Sequence, residues 1–393
     1  MMTTGIGRRD VLRAGAAWGG VAWLGGAGPL IERLIAQGCS EAPRGELLGT
    51  LPLHSARPRA TPFGQLVGGS GLDARLFTDL SRIEHGRLIT PTAEMFVRTT
   101  APASLNPPPA AWAIATSSGR AVTIDALRKD AQPMGAHLIE CSGNVDPDNF
   151  GLISVTEWDG VPLTRVVAQL APDAGTAGVL VNGADDYSRE ARSSNPGASW
   201  IFPLATLDRL GAFLAVRMNG APLTPDHGAP VRLVVPGWYG CTWIKWVNEL
   251  RLVGADEPAT SQMVEFSTRT HQADRSPLAR DYEPPVIDLA ATPIRVEKRR
   301  IDGRLEYRIV GIVWGGDRPV DRLMIRFNVG EKPQLFPICP APRTHRTWSL
   351  WDYRWRPEFP GLYNIVLQAA DSSIRTRRLD LSFYIRRVVI DEI

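Results

Sequence analysis

Residues 226–246 read DHGAPVRLVVPGWYGCTWIKW, a turn sequence followed by a short apolar strand and two basic residues. A His-Gly-x-Pro sequence starts at His227, Arg232 begins the apolar run, and Lys245 lies thirteen residues after Arg232. An arginine can bind a phosphate through two parallel hydrogen bonds, and a lysine adds a compact positive charge. Both residue types are thus suited to an anionic group. Taken alone, His227 is more typical of a structural turn, and Arg232 could be an ordinary exposed charge.

Two further segments carry chemistry, residues 95–100 (MFVRTT) and residues 140–144 (ECSGN). Cys141 offers a soft thiolate, which is a good ligand for a high-valent metal and stays deprotonated when bound. Gly143 lets the backbone approach a ligand closely. Arg98 places a permanent positive charge in the first of these segments.

In order and spacing the three segments resemble the sulfite oxidase family of molybdenum enzymes. The resemblance covers roughly residues 80–253, and a weaker echo continues toward the C-terminus. It implies Mo-molybdopterin as the cofactor, Cys141 as the metal ligand, and Cys141 and Arg98 as catalytic residues. The implied cofactor-binding residues are Arg98, Thr99, Thr100, Cys141, Asp185, His227, Arg232, Trp243, Ile244 and Lys245.

The resemblance also implies individual roles. Arg232 and Lys245 correspond to ligands of the pterin phosphate, and His227 would hydrogen-bond the pterin or its phosphate. Asp185 matches a pterin contact, and the backbone amides around residues 243–244 would add donors. Arg98 matches an arginine beside the molybdenum, where it would steer or stabilise an anionic substrate.

The composition fits a globular enzyme of two or three domains. The chain has 393 residues, 44% of them hydrophobic and 22% charged, with 12 Trp and 32 Pro. The Trp and Pro counts favour a loop-rich, mixed or mostly β protein. A net charge of +3, without a Lys/Arg stripe, argues against a nucleic-acid partner.

The pattern along the chain predicts an α+β cofactor domain followed by a β-sandwich. We expect a signal segment at 1–40, a molybdopterin-binding domain at 41–253, a linker at 254–292, and an immunoglobulin-like unit at 293–393. That last unit resembles the family's dimerisation domain but is shorter, so homodimerisation stays open.

Several elements are predicted individually. An amphipathic helix should begin after Pro162, two-residue turns are expected at 219–220 (Asn-Gly) and 302–303 (Asp-Gly), and residues 254–292 show no periodicity. The expected strands are 112–116 and 121–124 as a hairpin, 179–181, 213–218, 232–235, 248–253, 294–300, 305–313, 324–329, 362–370 and 379–389.

Two adjacent arginines, Arg8 and Arg9, precede a mildly apolar stretch at 14–31. This arrangement resembles a twin-arginine export signal, which would place the protein in the periplasm with its cofactor already inserted. The competing interpretation is a plain N-terminal anchor helix. Cys39 follows a poor match to a lipoprotein cleavage box, so lipidation is a minor alternative.

The cysteines and histidines exclude several other classes of site. The four cysteines, at 39, 141, 241 and 339, form no CxxC pair, so zinc knuckles and iron–sulfur runs are excluded, whereas two disulfides remain open on count. The six histidines are scattered and no HExxH occurs, which argues against a zinc hydrolase. No CxxCH, flavin or dinucleotide motif occurs.

The predicted reaction is oxygen-atom transfer on a small sulfur- or nitrogen-containing molecule. Because the chain carries no second redox motif, electrons should pass to or from an external carrier, such as a c-type cytochrome or a membrane haem protein. The direction of catalysis stays open. A non-catalytic binding or assembly subunit on the same scaffold is the rival class, because fold does not entail activity.

Sulfite is expected to be a poor substrate. The family's sulfite-oxidising members carry an arginine shortly after the segment matched here at 140–144, whereas this chain has Val145 and Asp146. Their catalytic tyrosine lies about 21 residues past the lysine, where this chain has Phe266, which has no hydroxyl. The candidate substitutes are Tyr187, Arg189 and His271.

Overall fold

The computed structural model describes residues 44–54, 71–145, 150–185, 198–328, 330–381 and 384–393. The expected signal segment at 1–40 therefore lies outside the described residues, as do Tyr187, Arg189 and Asp146. Within the described ranges, no helix is both long and apolar enough to cross a membrane. These ranges are mostly β, and their four α-helices have six or seven residues each.

The elements run in the following order. The strands are β1 (Glu46–Leu51), β2 (Arg75–Leu76), β3 (Val97–Arg98), β4 (Ala113–Thr116), β5 (Val122–Thr123), β6 (Gln132–Glu140), β7 (Ile153–Pro162), β8 (Gly178–Gly183), β9 (Ser199–Pro203), β10 (Phe213–Met218), β11 (Ala221–Pro222), β12 (Arg232–Val234), β13 (Val247–Val253), β14 (Ala290–Ile301), β15 (Arg304–Trp314), β16 (Arg322–Phe327), β17 (Gln334–Pro337), β18 (Ser349–Trp355), β19 (Gly361–Ala369) and β20 (Arg386–Ile390). The α-helices are α1 (Ile124–Asp130), α2 (Leu163–Gln169), α3 (Leu204–Leu210) and α4 (Ser261–Phe266).

Two five-stranded sheets form the first half of the molecule. One has the order β11-β10-β7-β6, with β12 also paired to β10, and the other has the order β5-β4-β13-β8-β9. Strand β4 pairs with β13 in parallel, whereas the other pairs in these sheets are antiparallel. Strand β6 ends directly before Cys141, β8 ends two residues before Asp185, and β12 begins at Arg232. Strand ends therefore carry the residues of the predicted site.

Two four-stranded antiparallel sheets form the second half, in the orders β1-β14-β15-β18 and β17-β16-β19-β20. Strand β14 contacts β19 and β20, so the two sheets face each other. The immunoglobulin-like topology stays a prediction. Strand β1 comes from the N-terminal lead-in, which the sequence assigned to the cofactor domain, yet it pairs with β14 in the C-terminal sheet.

Several local predictions are confirmed. The hairpin at 112–124 forms as β4 and β5, and α2 follows Pro162 with Leu163 buried. Strand β10 has the predicted bounds, 213–218. The turns at 219–220 and 302–303 have positive φ at both residues, as two-residue hairpin turns require.

Other elements differ from the prediction. The linker at 254–292 stays a prediction as a domain division, although this range contains α4, which Thr260 caps by accepting a hydrogen bond from the Met263 amide. A helix of six residues is too short to show a 3.6-residue period. The strand expected at 379–389 begins only at Arg386. Strands β6, β7 and β9 were not predicted, although β6 delivers Cys141 to the site.

Candidate active site

One pocket between the strand ends collects most of the predicted site residues. Arg98, Thr99, Cys141, Asp185, His227, Arg232, Trp243, Ile244 and Lys245 all line it. Thr100 is not among the lining residues. Its hydroxyl accepts a hydrogen bond from the Gly71 amide at 2.9 Å and fastens the turn before β2.

Cys141 lies in a tight turn after β6, with 9% of its surface exposed. Its amide donates to the Leu152 carbonyl, and the Asn144 amide donates to the Cys141 carbonyl, both at 2.9 Å. The Gly143 amide lies 3.4 Å from the Cys141 Sγ atom. A thiolate in this position has a donor beside it and a fixed direction into the pocket.

Arg232 is 3% exposed and has no carboxylate within salt-bridge distance in the part of the chain that the structure describes. It donates from Nη1 to the His227 carbonyl at 3.1 Å and from Nη2 to the Trp243 carbonyl at 3.3 Å. Its Nε atom has no hydrogen-bond partner there. Burial lowers the pKa of Arg232 to about 9, which reflects the cost of keeping this charge out of water.

Lys245 holds the loop that carries Arg98. Its Nζ atom donates to three carbonyls, those of Arg98 (3.3 Å), Thr99 (2.6 Å) and Asp226 (3.0 Å). Thr99 has φ 78°, a costly conformation for a β-branched residue. Burial, with the neighbouring Arg232 charge, lowers the pKa of Lys245 to about 7. Its three protons are already used, so a phosphate contact would replace one of these bonds.

His227 and Asp185 present buried polar atoms to the pocket. His227 Nδ1 lies 2.6 Å from the Thr224 hydroxyl, and its Nε2 atom has no hydrogen-bond partner of good geometry among the described residues. Burial lowers the pKa of His227 to about 4, so the ring is neutral at pH 7. Burial raises the pKa of Asp185, whose Oδ1 atom is likewise without a partner in the described ranges.

Trp243 and Ile244 line the pocket with their side chains, but their amides are already occupied. The Trp243 amide donates to the Gly240 carbonyl at 3.1 Å, and the Ile244 amide donates to the Thr242 carbonyl at 3.2 Å. The expected amide contacts to a cofactor would have to share or replace these bonds.

Two arginines close to Arg98 and Cys141, neither of them among the lining residues of the pocket, were not predicted. Arg75 lies directly opposite Arg98 in the two-stranded β2–β3 sheet. Burial, with the Arg98 charge second, lowers the pKa of Arg75 to about 10. Arg269 follows α4, and its Nη1 atom lies 3.4 Å from where a Cβ on Gly143 would sit. No local sequence pattern distinguishes Arg75. Arg269 lies three residues after Phe266, the position where a tyrosine was expected, and this proximity is the signal that could have identified it.

These arginines share the site with two carboxylates. Burial lowers the pKa of Arg98, while the charges of Cys141, Asp73 and Glu265 oppose that shift. Counting three arginines, at 75, 98 and 269, against two carboxylates leaves one positive charge before Cys141 is included.

Phe266 lines the pocket at the position where the sequence lacks a tyrosine, and the Arg269 guanidinium lies 5.7 Å from its ring centre. His271, a candidate substitute, is not among the lining residues. It pairs instead with the carboxylate of Asp288, Nε2 to Oδ2 at 2.8 Å. Arg75 and Arg269 add positive charge near the pocket, whereas Asp146 lies outside the described residues, so the expectation that sulfite is a poor substrate stays a prediction.

The remaining cysteines divide into two groups. Cys241 is a free, buried thiol in the same pocket, and burial together with the nearby Cys141 charge raises its pKa. Cys339 is in a disulfide. Because Cys141 and Cys241 are both free, two disulfides within the chain are excluded.

The unpaired atoms fit a polar, anionic ligand. Buried polar groups in proteins are normally hydrogen-bonded, so the orphaned atoms of Arg232, His227 and Asp185 in one pocket indicate ligand contacts. A cation for a phosphate, neutral and acidic groups for a heterocycle, and a thiolate for a metal are the donor set that a metal-bearing pterin requires.

Comparison with known proteins agrees with this donor set. Residues 112–261 match the oxidoreductase molybdopterin binding domain family. Mitochondrial sulfite oxidase of Mus musculus is 26% identical over 275 residues, covering 64% of this chain and 50% of that protein. NADPH nitrate reductase of Fusarium oxysporum is 26% identical over 226 residues, covering 54% of this chain and 23% of that protein. The chain thus spans half or less of the length of these curated relatives.

Among solved structures, a chain of the sulfane dehydrogenase SoxCD from Paracoccus pantotrophus matches with a TM-score of 0.61. The match covers 90% of this chain and 96% of that one at 19% sequence identity, and it therefore shows a shared fold. The family match includes Cys141, Asp185 and residues 227–245 of the pocket, whereas Arg98, Thr99 and Phe266 lie outside it. Residues 112–261 therefore form an oxidoreductase molybdopterin binding domain, whose cofactor is Mo-molybdopterin, and the chain is similar to sulfite oxidases and nitrate reductases.

Proposed function

We propose that this protein catalyses molybdenum-dependent oxygen-atom transfer on a small sulfur- or nitrogen-containing oxyanion. One observation carries the proposal: Arg75 and Arg98 face each other across the β2–β3 pair, beside the thiol of Cys141. Like charges directly opposite in a sheet destabilise it. Asp73 offsets part of this charge for both arginines, and the positive charge that remains beside the metal ligand suits an anion bound near the two guanidinium groups.

The residues of the pocket have separate roles in holding the cofactor and the substrate. The cofactor, when bound, supplies a two-electron redox centre, and Cys141 is its protein ligand. Arg232 neutralises the phosphate end, while His227 and Asp185 hydrogen-bond polar edges of the pterin. Lys245 donates a hydrogen bond to the Arg98 carbonyl, and so helps to position the guanidinium that binds the substrate.

Arg98, Arg75 and Arg269 bind and orient the substrate. Two carboxylates, Asp73 and Glu265, moderate this charge, so we expect selectivity for a singly or doubly charged oxyanion over a neutral S-oxide or N-oxide. The direction of catalysis is open. Electrons exchange with an external carrier, such as a c-type cytochrome or a membrane haem protein.

The test begins with metal analysis of protein from a molybdenum-replete host, where we expect about one molybdenum per chain. Steady-state assays with artificial electron carriers then compare sulfite, thiosulfate, nitrate and neutral S-oxides. Arg75→Met should raise KM for the accepted oxyanion about tenfold or more, because a charge-assisted contact contributes about 1.5–3 kcal/mol. Arg82→Met serves as the control, since Arg82 makes an exposed ion pair with Glu94.

Two results would refute the proposal. Zinc in place of molybdenum would remove the chemistry, and full molybdenum occupancy without turnover of any oxyanion would favour the non-catalytic binding subunit.

We also propose export by the twin-arginine route, on the sequence of Arg8 and Arg9. Replacing both with lysine keeps the charge, yet it should leave the precursor in the cytoplasm, because this route reads the arginine pair. Cell fractionation measures the outcome. Normal periplasmic processing of the double lysine variant would contradict the proposed route.

A further inference from the structure

Glu140, the residue before Cys141, is a fully buried carboxylate at the end of β6, with 0% of its surface exposed. Nothing in the cofactor chemistry described above requires an acid at this position. A buried carboxylate is costly unless it is paired and hydrogen-bonded. Its partners therefore show what the residue is for.

The main partners come from the C-terminal half of the chain. Arg377 binds both carboxylate oxygens, from Nη1 to Oε1 at 2.8 Å and from Nη2 to Oε2 at 2.6 Å. Trp314, the last residue of β15, donates from its indole to Oε2 at 2.8 Å. Arg377 also donates to the Tyr384 hydroxyl at 2.8 Å. The carboxylate is thus fixed by the C-terminal half of the chain, with Arg377 in the connection between β19 and β20 and Trp314 in β15.

The same carboxylate fastens the metal-binding turn. Asn144 donates from Nδ2 to Glu140 Oε1 at 3.0 Å, and its Oδ1 atom accepts from the Gly151 and Leu152 amides. The Asn144 amide donates to the Cys141 carbonyl, which closes the turn. Residues 140 and 144 therefore clasp the three residues between them, Cys141 included.

A buried ion pair is weak evidence for stability, because well-packed apolar residues often replace one without loss. Its advantage is fixed geometry, since a planar fork bound at both oxygens allows one orientation. Here a short series of hydrogen bonds links Arg377 through Glu140 and Asn144 to the Cys141 turn, so the orientation of the ion pair also orients the turn. Partners of metal ligands tune the metal through such orientation.

We infer that Arg377 is a positioning residue of the molybdenum site, and that the C-terminal half of the chain fixes the direction of the Cys141 thiolate through the Glu140–Arg377 pair. The inference rests on the proposed ligation of molybdenum by Cys141. It gives the C-terminal half a part in the active site of a single chain, independent of any dimer.

The test compares Arg377→Lys with a matched control, Arg299→Lys, in the purified holoenzyme. Arg299 is a similarly buried arginine in an ion pair with Glu297, 2.9 Å from Nη1 to Oε2, within the β1–β14 region. Both variants keep the charge and lose a planar guanidinium, which in Arg299 contacts Glu297 through Nη1 and two backbone carbonyls through Nε and Nη2. Molybdenum content, the Mo(V) electron paramagnetic resonance spectrum, kcat, KM and Tm are measured for each.

We expect Arg377→Lys to shift the Mo(V) spectrum and to lower kcat about tenfold to a hundredfold, the usual effect of losing a partner of a metal ligand, with KM changed less than about twofold. Arg299→Lys should lower Tm while its spectrum and kcat stay those of the wild type. If Arg377→Lys does not fold, Trp314→Phe removes one hydrogen bond to the same oxygen, and it should shift the spectrum in the same direction by less.

A wild-type spectrum and kcat in Arg377→Lys or, if that variant does not fold, in Trp314→Phe would overturn the inference. A further measurement separates it from the proposed function. Alkylation of the metal-free protein by iodoacetamide, read by peptide mass spectrometry at Cys141, should accelerate several-fold in Arg377→Lys relative to Arg299→Lys. Equal rates would refute positioning, whereas wild-type protein without molybdenum would refute the proposed ligation.

Discussion

Buried charges are handled differently in the two halves of the molecule. In the C-terminal sheets, the Glu297 carboxylate is met by Arg295, Arg299 and Arg308, each within 3.2 Å. In the pocket, by contrast, Arg232 is equally buried, yet among the described residues it contacts only backbone carbonyls and two aromatic rings, those of Trp158 and Trp243. We therefore expect the Glu297 charge to stabilise the fold and the Arg232 charge to bind an anionic ligand.

The largest expected effect concerns the metal ligand. Cys141→Ser should lower kcat by on the order of a thousandfold or more, because a serine oxygen is a harder and weaker donor. The fold should remain, as judged by circular dichroism. The matched control is Cys241→Ser, which alters the other free thiol of the same pocket and should keep kcat within about tenfold of the wild type. Full activity in Cys141→Ser would end the assignment.

Removing one buried charge from each half, Glu297 or Arg232, tests whether the two charges have different roles. Glu297→Gln should lower the free energy of unfolding by about 3–5 kcal/mol, because it leaves buried arginines without their counter-charge. Arg232→Met in the metal-free protein should lower it by less than about 1 kcal/mol, or raise it, since an uncompensated charge disappears. Chemical denaturation measures both.

A loss of several kcal/mol in metal-free Arg232→Met would show that Arg232 is structural. In the holoenzyme, Arg232→Met loses its phosphate contact. We therefore expect this variant to retain less molybdenum than Glu297→Gln, although it is the less destabilised of the two when metal-free. Metal content after gel filtration measures this difference.

Whether a residue of the site could be predicted depends on how far apart in the sequence its interacting partners lie. Cys141, Arg232 and Lys245 lie in short segments whose spacing is visible in the sequence, and all three line the pocket. Arg75 and Arg377 could not be found in this way. Their significance arises from pairing with Arg98 and Glu140, and the second of these pairs spans 237 residues.

The fold shows the same division. Two-residue turns at 219–220 and 302–303 are local and were predicted, because each requires two residues that tolerate positive φ. The pairing of β1 with β14 joins Glu46 to Arg300, which no local pattern indicates. Strand β6 lacked a clear alternation, because its last four residues are all buried.

A smaller effect concerns two buried histidines. Burial lowers the pKa of His227, in the pocket, and of His137, outside it, to about 4. Each binds a proton more readily when unfolded, so the stability it contributes is present above about pH 6.5 and is lost as pH falls toward 4. At pH 5 the loss is about 2 kcal/mol for each histidine.

His137→Gln should therefore remove about half of this pH dependence in the metal-free protein. Denaturation at pH 7 and pH 5 measures it, and a difference as large as that of the wild type would contradict the prediction. His137 Nδ1 also lacks a hydrogen-bond partner in the described ranges, although it lies outside the pocket. A ligand bound in the pocket should leave the titration of His137 unchanged. This result would distinguish His137, whose unpaired atom lies outside the pocket, from His227, whose unpaired atom faces a ligand.

The smallest expected effect is a gain of function at Phe266. The three arginines at 75, 98 and 269 favour an anion, but Phe266 offers no hydroxyl beside it. We therefore expect sulfite to bind and turn over slowly, with kcat/KM well below about 10⁶ M⁻¹s⁻¹. Phe266→Tyr adds one donor, and one net hydrogen bond to a charged group contributes about 1.5 kcal/mol, so kcat/KM for sulfite should rise about tenfold. Phe202→Tyr, at a buried aromatic that does not line the pocket, is the control and should give no gain. Efficient sulfite turnover by the wild type, or no gain in Phe266→Tyr, would show that the missing hydroxyl does not limit the reaction.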